Sequence, residues 1–108
     1  MTRVLVIGSI NMDMVVNSPT MPRLGETLSG SGFATYPGGK GANQAVAAAR
    51  LGAQVSMIGC VGRDAFGAEL KAVLANEGVD TRWVSDVDVA TGVASITLCG
   101  SDNAIIVV

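Results

Sequence analysis

The sequence has no histidine, only two cysteines and no run of basic residues in its 108 positions. Cys60 and Cys99 stand far apart and in no metal-ligand spacing, which argues against a zinc site and against a disulfide framework. Two buried free thiols in a reducing cytosol are the expected state. Seven Lys and Arg stand against nine Asp and Glu, for a net charge of −2. Nucleic acid is therefore not expected as the main partner. No apolar stretch approaches the roughly 20 residues of a membrane span. The run VLVI at 4–7 is too short for a signal-peptide core.

What is present suits one small globular domain: 49% hydrophobic and 15% charged residues. RVLVI at 3–7 fits a strand buried on both faces, as in a parallel sheet. Residues 12–17 are extended, 18–32 are loop, and 33–36 form a short strand. A helix is expected from about 42 to 51, with Gly52 at the stop. Residues 54–60 read as a second buried strand. Asp64 caps a helix over about 65–77, where Phe66, Leu70, Val73 and Leu74 share one face. A short strand follows at 82–85. Strands 92–99 and 104–108 flank the turn-forming GSDN and pair as a hairpin. The alternation of strand and helix predicts an α/β fold with right-handed crossovers onto a parallel sheet. The strands at 12–17, 33–36, 92–99 and 104–108 fall outside it and predict a second, small antiparallel sheet placed as a lid. The apolar ending AIIVV reads as a buried strand, so the chain is expected to be part of a longer protein.

The stretch YPGGKGANQAVAAARLG at 36–52 puts three glycines and one lysine at a helix start. A nucleotide phosphate cradle, a site for a polar small molecule and a plain tight turn all compete for it. The P-loop pattern fails twice, with Ala34 at the first glycine and Gly41 at the hydroxyl. The dinucleotide pattern fails at Gln44. The remaining features still carry chemistry. Glycines admit a ligand close to the backbone, and a helix start presents free N–H groups. Asn43 adds an amide donor and acceptor, which suits a polyhydroxyl ligand. The alternative is a turn that lets the helix pack tightly on the sheet. Asn11 and Asp13 stand two apart after the first strand and project to one face. Together they suit several hydroxyls, or they form an Asx-turn. Glu26 reads as a solvated acid, and Arg63 and Lys71 as surface charges.

GSINMD at 8–13, PRLGET at 22–27, PGGKGANQAVAAARLGA at 37–53 and IGCVGRDAFG at 58–67 resemble the ribokinase branch of the ribokinase/PfkB-type carbohydrate kinases. The resemblance runs in order along essentially the whole chain. It implies a Rossmann-like α/β core, part of the ribokinase fold, with a small β-sheet lid. It implies ATP-dependent phosphorylation of the 5-hydroxyl of D-ribose in the cytoplasm, with Mg2+ and a monovalent cation such as K+. By this resemblance Asn11, Asp13, Gly39, Lys40 and Asn43 contact the sugar, the two glycine-segment residues mainly through backbone. The lid also forms a homodimer contact in such proteins. A kinase for another sugar or a nucleoside, and a non-catalytic sugar-binding module, are the alternatives. The family's Gly-Ala-Gly-Asp segment, with its general base and anion hole, has no match in these residues. That segment, the adenine pocket and the cation loop are expected downstream, so this portion alone is expected to be inactive.

Overall fold

The computed structural model describes residues 2–108. Its elements are β1 (Arg3–Ile7), β2 (Asn11–Asn17), β3 (Gly32–Gly38), α1 (Lys40–Arg50), β4 (Gln54–Gly62), α2 (Ala65–Asn76), β5 (Val79–Val87), β6 (Val93–Cys99) and β7 (Asp102–Val107). Strands β1, β4 and β5 form a parallel sheet in the order β1-β4-β5. Strands β3, β2, β6 and β7 form the second sheet in that order. That sheet is mixed and not antiparallel as expected: β2 runs parallel to β6, while β2–β3 and β6–β7 are antiparallel. The α/β unit between β3 and β6 carries the chain back to the start of β2, which makes the two strands parallel.

Local chemistry accounts for the helices. The alanine-rich α1 runs on good helix formers and ends at Arg50, with Leu51 as its cap and Gly52 beyond it at a φ of 96°. Helix α2 is capped by Asp64, whose carboxylate accepts the Gly67 N–H at 2.8 Å. Gly67, Leu70 and Leu74 are its buried residues, with Phe66 packed alongside. At the far end of the helices the Arg50 guanidinium donates to Glu77 at 2.8 Å. Some boundaries shift. Helix α1 starts at Lys40, β5 extends to nine residues, and the β6–β7 hairpin turns in two residues, Gly100 and Ser101. Glu26 is tied locally and accepts the Arg23 N–H at 3.0 Å.

Both helices contribute to one core. Ala42, Ala45, Leu70 and Leu74 cluster with Val55, Met57, Val61, Val79 and Val84 of the parallel sheet. Ile10 and Met12 join them and bind the second sheet to the first. The other face of the parallel sheet is open. Leu5, Ile7, Ile58 and Trp83 are exposed, Ile7 by 73%. Strand β1 is thus buried on one face only, although parallel sheets normally have both faces covered. Cys60, two positions beyond Ile58 on β4, is exposed, and Cys99 is half-buried, so neither thiol is fully buried as expected. Ile105, Ile106, Val107 and Val108 are also exposed. The final strand is an uncovered edge and not the buried strand its composition suggests. No helix among the described residues is long and apolar enough to cross a membrane.

Asp64 does more than cap a helix. Its Oδ2 accepts the Thr91 N–H at 2.9 Å and its Oδ1 accepts the Thr91 hydroxyl at 2.6 Å. The Thr91 hydroxyl in turn accepts the Gly62 N–H at 2.8 Å. The Thr91 hydroxyl, then its N–H and that of Gly67, hold the Asp64 carboxyl below its ordinary value of 3.8. A carboxyl depressed in the fold stabilises it above the unfolded value, and that contribution fades as pH falls through the folded value. Thermal melts of the parent and Asp64→Asn should therefore differ most near neutrality and converge below pH 3.8. A gap that stays constant through that range would contradict this account.

Candidate functional site

The site is built where β1 ends and α1 begins. After Gly8 the chain passes Ser9 and Ile10 into β2, and α1 enters from β3 directly beside them. The Ala42 N–H donates to the Ser9 carbonyl at 3.0 Å. This satisfies one of the donors that a helix start leaves open. A Cβ at Gly41 would lie 2.8 Å from the Gly8 backbone, so the first turn of α1 rests backbone to backbone on the end of β1. Gly39 is doubly constrained. Its φ is 97°, and a Cβ there would lie 2.6 Å from the Ser9 carbonyl oxygen. Among the described residues, the N–H groups of Lys40 and Gly41 have no backbone partner.

Asn11 and Asp13 lie on one face of β2 and flank Met12, which is fully buried on the other. Asn11 pairs with Gly38, and Asp13 with Tyr36. The Asp13 carboxylate lies over Gly38, where a Cβ would meet Oδ1 at 2.5 Å and Oδ2 at 2.7 Å. Gly38 is therefore the residue that leaves room for this carboxylate. Asp13 makes no side-chain hydrogen bond or ion pair among the described residues. Its acceptor capacity faces half-exposed space.

The structure brings Asn11, Asp13 and Gly39 together directly. Lys40 and Asn43 follow on the first turn of α1, with exposed side chains. The Asn43 N–H donates to the Gly39 carbonyl at 2.9 Å, and its exposed side-chain amide makes no hydrogen bond among the described residues. Two residues that the sequence did not single out belong here. The Gly92 carbonyl accepts the Met12 N–H at 3.0 Å, and a Cβ at Gly92 would lie 2.7 Å from the Asn11 Oδ1. Ser9 contributes its carbonyl as the seat of α1. Neither carries a sequence signal beyond a turn, because both act through backbone.

A groove of about 530 Å³ near the carboxyl ends of β1 and β4 is lined by Gly8, Ser9, Gly59 and Gly92 with the apolar Ile7, Ile58 and Trp83, and of the five predicted residues it contains Asn11 alone. Open α/β sheets bind ligands at that end of the strands. A larger hollow of about 880 Å³ runs along the open face past Arg3, Gln54, Asp80 and Arg82. It contains none of the five predicted residues and lies against the opposite strand ends. The chemical offer of the site is a carboxylate, two side-chain amides and free helix-start N–H groups around a glycine-lined floor. That set fits adjacent hydroxyls, each of which donates and accepts. No group of three His, Cys, Asp or Glu side chains converges among the described residues.

An α/β core joined to a second, mixed sheet is the architecture of part of the ribokinase fold. The model of the pfkB family carbohydrate kinases matches residues 1–108, and the chain belongs to that family. It is 51% identical over 109 residues to a ribokinase of Bacillus subtilis, covering 100% of this chain and 37% of that one. It is 40% identical over 107 residues to a deoxyribokinase of Salmonella typhi, covering 97% of this chain and 35% of that one. It also superposes on the structure of Arabidopsis thaliana ribokinase complexed with ribose and ATP. The TM-score there is 0.90 at 36% identity, over 100% of this chain and 36% of that one. The chain thus spans about a third of the length of these relatives.

Two glycines with similar φ separate conformation from close approach. Gly39→Ala meets both a positive φ and the Ser9 carbonyl, whereas Gly52 has a φ of 96° with nothing within 4 Å. Gly52→Ala should cost about 1 kcal/mol and leave the site intact. Gly39→Ala should cost more, about 2–4 kcal/mol, because the seat of α1 must also shift. Urea unfolding of both variants checks this, and equal losses would contradict it.

Proposed function

We propose that this chain is the sugar-binding part of a kinase that transfers the terminal phosphoryl group of ATP to the 5-hydroxyl of D-ribose. The observation that carries the reading is the Asp13 carboxylate, without a donor among the described residues and held beside Asn11 and over Gly38 at the start of α1. Asp13 and Asn11 take ring hydroxyls. Gly39 and Lys40 contribute backbone, and Asn43 its side-chain amide. The second sheet acts as the lid that closes over the sugar and keeps water from the transferring group. The exposed Phe33, Ile105, Ile106 and Val107 on that sheet support its role in a homodimer. ATP, Mg2+ and K+ belong to the same proposal. The general base and anion hole lie outside these residues, since no segment here supplies them. The cytoplasm is the compartment this reading implies.

The likeness to the Salmonella typhi deoxyribokinase favours one second reading, a kinase for a related pentose. Kinetics of the intact protein with D-ribose, 2-deoxyribose, fructose and adenosine separate the two. D-ribose should give the highest kcat/KM. Asp13→Asn should lower it about 100-fold, or about 3 kcal/mol, with KM for ATP nearly unchanged. A preference for 2-deoxyribose would favour the second reading. An Asp13→Asn variant with parental kcat/KM would contradict the role of Asp13.

A further inference from the structure

The residues assigned to the sugar do not explain why Asn11 keeps its place. Strand β2 is held to the rest of the molecule on two sides. On one side β3 leads into α1. On the other, Gly92 precedes β6, gives its carbonyl to the Met12 N–H and packs against the Asn11 amide oxygen. Gly92 is half-buried and has no side chain to anchor it. Its anchor is the residue before it. Thr91 is only 5% exposed and is the buried polar residue of the core region. Its hydroxyl accepts from Gly62 at the end of β4 and donates to Asp64 at the start of α2. Its N–H donates to the other oxygen of the same carboxylate.

We infer that Thr91, clamped between Gly62 and Asp64, is a positioning residue that holds Gly92 against Asn11 and so fixes the sugar-facing end of β2. The inference rests on the sugar-kinase reading above. The clamp connects three places by short hydrogen bonds: the carboxyl end of the parallel sheet, the first turn of α2, and the chain just before the second sheet. A carboxylate accepts from all three donors at once, Gly67 N–H, Thr91 N–H and Thr91 hydroxyl. Serine at position 64 would still cap α2 and would be too short to reach Thr91. Valine at position 91 has the shape of threonine and can neither donate nor accept. Its introduction leaves the Gly62 N–H unpaired as well. Serine at position 91 keeps both hydroxyl bonds. The alternative is that the network only stabilises α2 and the end of β4. In that case Asn11 and the sugar site would not sense its loss.

The test compares Thr91→Val, Thr91→Ser and Asp64→Ser with the parent in the intact protein, each confirmed folded by its thermal melt. Hydrogen exchange at the Met12 N–H reads the clamp directly, whatever the substrate. The Met12 N–H should exchange about tenfold faster in Thr91→Val and Asp64→Ser, with α2 amides unchanged. In the same variants KM for D-ribose should rise about tenfold while kcat and KM for ATP stay within about twofold. Thr91→Ser should match the parent within about twofold in every readout. Unchanged Met12 exchange, or a fall in kcat with KM for ribose held, overturns the inference. Faster exchange spread equally over α2 overturns it too, because the network would then be only a helix cap. A parent that does not phosphorylate ribose refutes the sugar reading instead, and Met12 exchange then decides the clamp alone.

Discussion

The contact on which the rest of the structure depends is the backbone seat between Gly8–Ser9 and Gly39–Gly41. Two chain segments approach there so closely that a single methyl group on Gly39 or Gly41 would collide. The Ala42 N–H to Ser9 bond locks the approach. From this seat the first turn of α1, the end of β1 and the start of β2 radiate within a few residues of one another. The same constraint that packs the helix tightly on the sheet also leaves helix-start N–H groups open beside Asn11 and Asp13. Packing and binding are not competing explanations of the glycines here. The turn keeps side chains off the floor beside Asn11 and Asp13, as the proposed sugar site requires.

The electrostatics follow the same division. The carboxylates that are used structurally all have donors. Asp64 is held by Thr91 and Gly67, Glu77 by Arg50, and Asp80 by Arg82, and each sits below its usual range for that reason. Arg63 pairs with Asp88, and Lys71 with Asp86 at 3.3 Å. Asp13 is the contrast: a half-exposed carboxylate whose neighbour is a glycine and whose side chain has no protein donor among the described residues. A carboxylate placed by a fold and left without a donor is suited to receive one from a ligand.

Much of this was legible in the sequence because it depends on local rules. Asp64 before an amphipathic run reads as a cap, Gly52 as a stop, and Asn11 and Asp13 as same-face neighbours through the two-residue period of a strand. The motif resemblance placed the chain in a family that the whole-length match then established. The misreadings are non-local. The parallel pairing of β2 with β6 joins residues about 80 apart and leaves no mark in either strand. The composition of β1, Cys60 and the last strand reads as buried, but burial requires a covering layer, and the described residues cover the parallel sheet with helices on one face only. Gly92 and Thr91 escaped notice because Gly92 reads as the first residue of the strand expected at 92–99 and Thr91 as the end of the loop before it. Only the fold brings Asp64 within reach of Thr91.

The central claim is that the glycine seat, Asn11 and Asp13 form one sugar-binding floor. The most direct measurement is a crystal structure of the intact protein with D-ribose bound. The account predicts ribose hydroxyls within hydrogen-bond distance of the Asp13 carboxylate and the Asn11 amide, with the sugar lying against Gly39 at the start of α1. Ribose bound instead in the hollow past Arg3, Asp80 and Arg82, with Asp13 facing solvent, would contradict it.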